Sequence, residues 1–573
     1  MRVLLIRPED ALAAGPWIGS KWDRVVDLGR GGIKAYEEAA SQLGCPVGYL
    51  DQFRRDYQEI RRARELLKYG KNKLRDRLGL DWWALLAILV HQQVEATILL
   101  EDLAKTIAAN DEVWTSAPGF HSQALSEILG REVRVFPARK RSKGALYYFE
   151  RFRRLPFRQL IDVFWDKTDA GYDFRRRLSH RPKAQRNDVV LLPTAYVNVS
   201  RTGAAYASSV PDLNFLLVAT RRSGWPSHLP ENVSAAWLSS YATKRSSERE
   251  AEYQGLLSAW DSLRKELEEV PEFRIISRCD TFAIFQYYFA HGLGIRDAWL
   301  NVLESEPVKA VLCADDSNPF THMPLLLAQM RGIRTISCHH GALDGRCMVK
   351  ECHAEVILAK GRMEHDYLTR LCAVPAAKVV IGAPSLSGAE RQSPFTTADR
   401  PFAVFFSEPY EATGGRATAV YADVLLPIAE LAAREGRQLI IKLHPAESVT
   451  ERSSIVEQLL SAELRQVVRL IDEPLDSELL DKTWFGITVL STVVMDCALR
   501  QVPCFLCKWL ESSPYGYVDQ FVRFGLGIPL THPDQISDIP AHLCEFERST
   551  HRLEDCWEEV STEPLKEVLA PQQ

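Results

Sequence analysis

Cysteine is scarce in this chain. Twelve in 573 residues are too few for a disulfide-held scaffold. One CxxC spacing occurs, Cys504 and Cys507 in "PCFLCK", inside an apolar strand-like run where residues three apart face opposite ways. Two reduced core thiols are expected there, and no second CxxC exists to complete a zinc site. Long apolar runs are also missing. The N-terminal "MRVLLIRPED" has four apolar residues in a row and then charge, so it reads as a first strand and not as a signal peptide. "WWALLAILV", Trp82 to Val90, is too short to span a bilayer. Neither repeats nor low-complexity blocks occur. A net charge of -5 favours no polyanionic partner, so no nucleic acid is expected. A cytoplasmic protein is the expectation.

Hydrophobic content of 46% and charged content of 25% are those of an ordinary soluble globular chain. Its length exceeds a single hydrophobic core, so about two large domains are expected. Charge is unevenly spread. Arg139 to Arg186 holds 15 Lys/Arg against 5 Asp/Glu, and Phe53 to Arg77 holds 10 against 4. Either stretch is a solvated helical face, or a face that approaches anionic lipid or a phosphorylated acceptor.

Short β-branched runs alternate with helical stretches, the pattern of a parallel α/β sheet. Strands are expected at "VLLIR", "EVWTSA", "VRVFP", "DVVLLP", "NFLLVAT", "AVLCAD", "RTISCH" and "AEVILAKG". Helices such as "HSQALSEILG" and "THMPLLLAQMRG" close on glycine, a common C-terminal cap. Residues 52–107 and 245–303 read as helical insertions. "VVIGAPSLSGAERQSPFTTADRP", Val379 to Pro401, reads as a linker. A second α/β set follows it. The expected division is 1–385 and 386–573, two doubly wound domains that face a cleft.

Ligands of such sheets sit at the carboxyl ends of strands, and four strand ends carry chemistry. "LIIKLHPAES" ends in His444-Pro445, where proline stops the ladder and leaves the imidazole at the rim. His444 caps the strand, or it donates to a phosphate with Lys442, which is expected on the same face. "FGITVLSTVVMDCALR" runs into Ser491-Thr492 as a helix begins, with Asp496 one turn on. Those hydroxyls are a structural N-cap or part of an anion site. "TISCHHGALDG" ends in His339-His340-Gly341. His340 is the candidate base or phosphate donor, and His339 is expected to point the opposite way, into packing. "VLCADDSNPF" ends in Asp315-Asp316-Ser317-Asn318: either Asp316 or Ser317 caps the next helix, or the two carboxylates Asp315 and Asp316 hold a base role.

The order of strand–His-Gly, Lys-Leu-His-Pro and strand–Ser-Thr-X-X-X-Asp–helix resembles the GT-B transferases of bacterial surface polysaccharides over about residues 310–510. CDP-glycerol glycerophosphotransferases and capsule-type transferases are members of that group. The resemblance implies a metal-independent transferase with no cofactor. Its donor is a nucleotide-sugar or CDP-polyol, and its acceptor is a glycan or lipid-linked molecule. It implies that the second domain binds the donor through His444 and the Ser491-Thr492 pair, that Asp496 matches the acidic residue of the last helix, and that His340 matches the base. Glu408 is a further carboxylate on the donor side. The family's Trp-His-Gly-Thr-like run is His-His-Gly-Ala here, and its doubled serine is Ser-Thr. An epimerase of the UDP-N-acetylglucosamine 2-epimerase type shares the fold and needs more carboxylates, for which Glu408, Asp315 and Asp316 are the candidates. A non-catalytic glycan-binding scaffold is the third reading. Contact with the inner face of the plasma membrane is expected through Arg139–Arg186.

Overall fold

The computed structural model describes residues 1–136, 187–385, 400–546 and 555–569, apart from 13, 56, 227, 245, 414, 512, 560 and 561. The basic stretch Arg139–Arg186 and most of the expected linker lie outside the described residues.

Three sheets are present, and every strand pair in them is parallel. The first contains β1 (Arg2–Ile6), β2 (Arg24–Asp27), β3 (Val47–Tyr49), β4 (Glu112–Thr115) and β5 (Arg134–Val135), ordered β3-β2-β1-β4-β5. The second contains β6 (Val189–Thr194), β7 (Asn214–Ala219), β8 (Val233–Trp237), β9 (Val308–Cys313), β10 (Arg334–Cys338), β11 (Val356–Ala359) and β12 (Val379–Ile381), ordered β12-β11-β10-β9-β6-β7-β8. The third contains β13 (Phe402–Phe406), β14 (Gln438–Lys442), β15 (Val468–Ile471), β16 (Thr483–Thr488), β17 (Cys504–Cys507) and β18 (Ile528–Leu530), ordered β15-β14-β13-β16-β17-β18. The α/β doubly wound class is as expected. Each sheet winds outward in both directions from one pair: β1 and β4, β6 and β9, β13 and β16. Beyond the carboxyl ends of such a pair the connections diverge and leave room for a ligand.

The strands are Val/Ile/Leu runs buried on both faces, as parallel strands covered by helices must be. Glycine ends the helices where expected. The helix Phe120–Leu129 is capped by Gly130 at φ +63°, and Gly332, at φ +68°, follows the helix Pro319–Met330. Cys504 and Cys507 are free, buried core thiols.

The chain divides into two compact units, and the division departs from the expected 1–385 and 386–573. One unit comprises Met1–Glu59, Ala96–Ala138 and Leu386–Trp557; the other comprises Ile60–Glu95, Arg139–Ser385 and Glu558–Gln573. The first unit therefore holds the first and third sheets. The physical reason is a set of long-range polar contacts. Fully buried Asp27, at the end of β2, pairs with Arg416. Asp423, on the helix Ala417–Arg434, accepts hydrogen bonds from the backbone N–H of Ile33 (2.7 Å) and Lys34 (3.0 Å) and from Trp509 Nε1 (2.9 Å). It thereby supplies the anion that the start of the helix Ile33–Leu43 favours.

The second unit holds the seven-stranded sheet and much of both helical insertions. Helices at Gln58–Leu67, Trp82–Leu86, Ser247–Leu267, Pro271–Arg278 and Ala283–Ser305 replace the expected 52–107 and 245–303 blocks. They share an aromatic core: Trp83 packs edge-on to Phe273 and Phe285, and Trp260 lies 4.9 Å from Phe285. Buried Arg296 joins the insertions by pairing with Asp76 (2.7 Å) and Glu252. The described stretch Trp82–Ala104 is long and apolar enough to cross a membrane, but 61% of its apolar window is buried, as in a core helix.

Candidate functional site

In the first unit, β14, β13 and β16 are neighbours, so their carboxyl ends bring together three of the expected sets. Glu408 follows β13, Lys442 and His444 end β14, and Ser491-Thr492 follow β16. His444 is exposed, and the segment after it is fastened by Glu447. The Glu447 carboxylate accepts from His444 N–H (2.7 Å), Ser407 Oγ (2.8 Å) and Arg452 Nε (2.7 Å). His444 Nδ1 accepts from Ala446 N–H at 3.1 Å. A neutral ring whose Nδ1 is an acceptor carries its proton on Nε2, so the nitrogen left over is a donor. Burial lowers the pKa of His444, opposed by Glu447.

Lys442 is buried, and its Nζ donates to the carbonyl of Leu443 at 2.6 Å. No carboxylate lies within ion-pair distance of it among the described residues. Burial pulls its pKa down, and Asp472 and Glu447 pull it back up. The expectation that Lys442 and His444 share a face rested on strand alternation. The strand ends at Lys442, however, and the alternation ends with it: one side chain is buried and the other exposed.

Glu408 is buried and turned to structural use. Its Oε1 accepts from Thr488 Oγ1 (2.8 Å) and Leu490 N–H (2.9 Å), which ties the end of β13 to that of β16. Burial raises its pKa against those donors. Ser491 Oγ accepts from Val493 N–H at 3.4 Å, and Thr492 makes no capping bond. The helix Val493–Leu499 is only seven residues long, and exposed Asp496 lies in its first turn.

In the second unit, Asp315 and Asp316 follow β9 at the pair from which the sheet diverges, and His340 follows the adjacent β10. Tyr196, just past β6, was not singled out in the sequence. Its hydroxyl donates to Asp315 Oδ2 at 2.7 Å, and its ring meets His340 edge-on at 5.3 Å. Burial, then Asp315, raises its pKa. His340 is half-buried, with Nδ1 3.4 Å from the carbonyl of Ala314. That contact puts the proton on Nδ1 and leaves the Nε2 lone pair free. Burial lowers the pKa of His340, partly offset by Asp315, so the ring is neutral at pH 7.

Burial lowers the pKa of His339 well below the usual range, in keeping with the expected packing, but the ring does not point the opposite way from His340. Its ring lies 4.5 Å from that of His340, and its Nδ1 accepts from Gly341 N–H at 3.2 Å. The strand stops at Cys338, so neither histidine obeys its alternation. The turn is pinned by buried Lys360, whose Nζ donates to the carbonyls of His339 (2.6 Å) and Gly341 (2.9 Å).

Asp316 is held differently from Asp315. It pairs with Lys350, which also pairs with Asp344 and donates to Ser317 Oγ at 3.0 Å. All three ionic groups are buried. Burial opposes the charge on Lys350, yet the two carboxylates raise its pKa well above the usual range. Lys350, Asp344, Lys360 and Tyr196 were missed because they reach the site from three separate connections, those after β6, β10 and β11. The one local signal was an aromatic residue two places past the strand run "VVLLPT". Among the described residues, no group of three or more His, Cys, Asp or Glu stands in a metal-binding arrangement.

No family model matches the chain, and no curated protein matches it. Solved structures resemble it at low identity. The UDP-GlcNAc 2-epimerase from Methanocaldococcus jannaschii is 12% identical over 67% of this chain and 99% of its own, with a TM-score of 0.41. The enzyme of the same name from Neisseria meningitidis, bound to UDP-GlcNAc, gives 12%, 67%, 99% and 0.41. The wall teichoic acid polymerase TagF is 9% identical over 74% of this chain and 91% of its own, with a TM-score of 0.36.

Proposed function

We propose that the chain is a metal-independent GT-B transferase. It would move a sugar or polyol-phosphate from a nucleotide-activated donor to a surface-glycan or lipid-linked acceptor. The observation that carries this reading is the end of β14. A buried ammonium without a carboxylate partner, Lys442, is followed two residues on by an exposed imidazole whose available nitrogen is a donor, His444. A phosphate supplies what both lack. Hydrogen bonds to charged groups are the strong ones, and preorganised donors help most where charge develops. During transfer the bond to the nucleotide phosphate breaks and its electrons stay on that phosphate. Lys442 and His444 stabilise them, and the Ser491 and Thr492 hydroxyls add further donors.

The acceptor hydroxyl must lose a proton as its oxygen forms the new bond. His340 is suited to take it, being neutral with Nε2 unprotonated. Asp315, held by Tyr196 and by Ser317 N–H (3.0 Å), favours the imidazolium that results. The epimerase reading asks for additional available carboxylates. Two of its three candidates, Glu408 and Asp316, are already engaged by Thr488 and Lys350. The basic stretch Arg139–Arg186 would place the enzyme against the inner face of the plasma membrane, where liposome sedimentation should show salt-sensitive binding.

The test is a thermal-shift screen of the full chain against UDP-, GDP-, CDP-, CMP- and dTDP-linked donors, followed by product mass for any that bind. Stabilisation by one nucleotide class and a transferred group in the product are expected. Release of an epimerised donor, or no response to any nucleotide, would overturn the reading.

A further inference from the structure

The second unit contains a cavity of about 400 Å³ that none of the residues assigned above to donor or base faces directly. Its size is that of a small-molecule site. Buried Leu67, Trp83, Ala87 and Val349 form an apolar floor. Trp83 is fixed, because its Nε1 donates to the carbonyl of Leu67 at 2.6 Å. Four cations also line the cavity, Arg64, Lys68, Lys71 and Lys350, against one carboxylate, Glu351.

The four cations differ in what already neutralises them. Lys350 is buried and closed off by Asp316 and Asp344. Lys68 pairs with Glu65, and Lys71 with Glu351, both at 2.6 Å, but all four side chains are 42% exposed or more. Such surface pairs contribute little and exchange readily for a ligand anion. Among the described residues Arg64 has no carboxylate partner. Its Nη1 donates to the carbonyl of Cys372 at 2.8 Å, which fixes the guanidinium at the wall. Its Nε is buried with no partner among the described residues. A fixed guanidinium edge beside two loosely paired ammoniums suits a phosphate, whose oxygens accept from several donors at once. The floor has no use for a phosphate and suits an apolar stem.

We infer that this cavity binds a phosphate ester with an apolar stem, the phosphate against Arg64, Lys68 and Lys71 and the stem over Trp83 and Ala87. The basic segment Phe53–Arg77 is then more than a solvated face, since three of its cations line one cavity. Lys350 connects the cavity to the end of β9, because the same side chain lines it and holds Asp316. Naming the ligand as the lipid-linked acceptor rests on the transferase reading; binding itself does not.

The experiment is calorimetric titration of the full chain with octyl phosphate below its micelle-forming range, with glycerol 3-phosphate and octanol as the two half-ligands. Octyl phosphate should bind at least about tenfold more tightly than either, the effect of burying roughly two methylenes. The double variant Arg64→Gln, Lys68→Gln should lose about tenfold or more, and the exposed variant Lys68→Gln, Lys71→Gln, whose folding is not at issue, should lose several-fold. Equal affinity for octyl phosphate and glycerol 3-phosphate would overturn the stem, and folded variants that bind as before would overturn the site. Titration of the same protein with CDP and UDP reads the donor site separately, so a failure of the transferase reading leaves this result interpretable.

Discussion

His340 and His444 both stand two residues past the end of a parallel strand, yet their ring nitrogens are used in opposite senses. At His340, Nδ1 faces a carbonyl and Nε2 is left as a lone pair. At His444, Nδ1 faces a backbone N–H and Nε2 is left as a donor. The surroundings differ in the same way. Around His340 the charges are internally matched: Asp316, Lys350 and Asp344 close on one another, and Lys360 fixes the turn. Around His444 the Glu447 carboxylate is engaged by His444 N–H, Ser407 and Arg452, but among the described residues the buried Lys442 ammonium meets only a carbonyl and Thr492 makes no capping bond. The first arrangement suits the proposed base, and the second suits the proposed phosphate site.

The largest effect on turnover is expected at His340. On the proposed mechanism His340→Ala removes the general base, a loss of about 10²- to 10⁴-fold, while donor affinity should stay within a few-fold. Asp315→Asn should cost less. A dead Asp315→Asn beside an active His340→Ala, measured by product formation, would exchange the two roles.

The largest effect on stability is expected at Lys350. Lys350→Met leaves Asp316 and Asp344 buried without a counter-charge, a change that costs about 3–5 kcal/mol. Denaturant unfolding should show an early loss of the second unit. An unchanged curve would mean that the network is solvated.

Acid should separate the units more gently. Five histidines in the second unit, His91, His322, His339, His340 and His353, have pKa values lowered by burial, against His121 and His444 in the first. An unfolded histidine takes its proton near pH 6.5. Below that pH the unfolded chain binds protons that the folded chain refuses, so stability is highest above about pH 6.5 and falls as pH drops. Melting curves from pH 7.5 down to 5 should show the second unit weakening first; parallel loss in both would contradict the assignment. The smallest effect is expected from chelation. Turnover should persist in EDTA, and full loss restored by Mg²⁺ or Mn²⁺ would remove metal independence from the proposal.

Five of the six strands of the third sheet and the strand ends of the second were legible because Val/Ile runs stopped by His-Pro, His-Gly or Ser-Thr announce themselves locally. β2, β3, β8, β12 and β18 were not: "RVVD" is four residues long, "VSAAW" has no clear period, and β3, β12 and β18 are three residues each, β12 at the start of the expected linker. The attachment of Met1–Glu59 and Ala96–Ala138 to the third sheet was hidden for another reason. It rests on Asp27 with Arg416 and on Asp423 with the start of the helix at Ile33, pairs 389 and 390 residues apart. The site divided along the same line. His340, His444, Lys442 and Asp315 were visible as strand ends, while Tyr196 and Lys350 act across 119 and 34 residues. The same attachment bears on experiment: a fragment of residues 386–573 would strip Arg416 of Asp27 and Asp423 of the Ile33 and Lys34 N–H groups, so the full chain is the proper sample.

The claim that β14 ends in a donor-phosphate site is tested most directly by calorimetric titration of the full chain, His444→Ala and His340→Ala with CDP, UDP and GDP. At least one nucleotide should bind the full chain. Its affinity should fall about ten- to a hundred-fold in His444→Ala, the worth of one hydrogen bond to a charged group, with the fold intact, and should stay within a few-fold in His340→Ala. Binding to none of the three, or equal loss in both variants, would contradict the account.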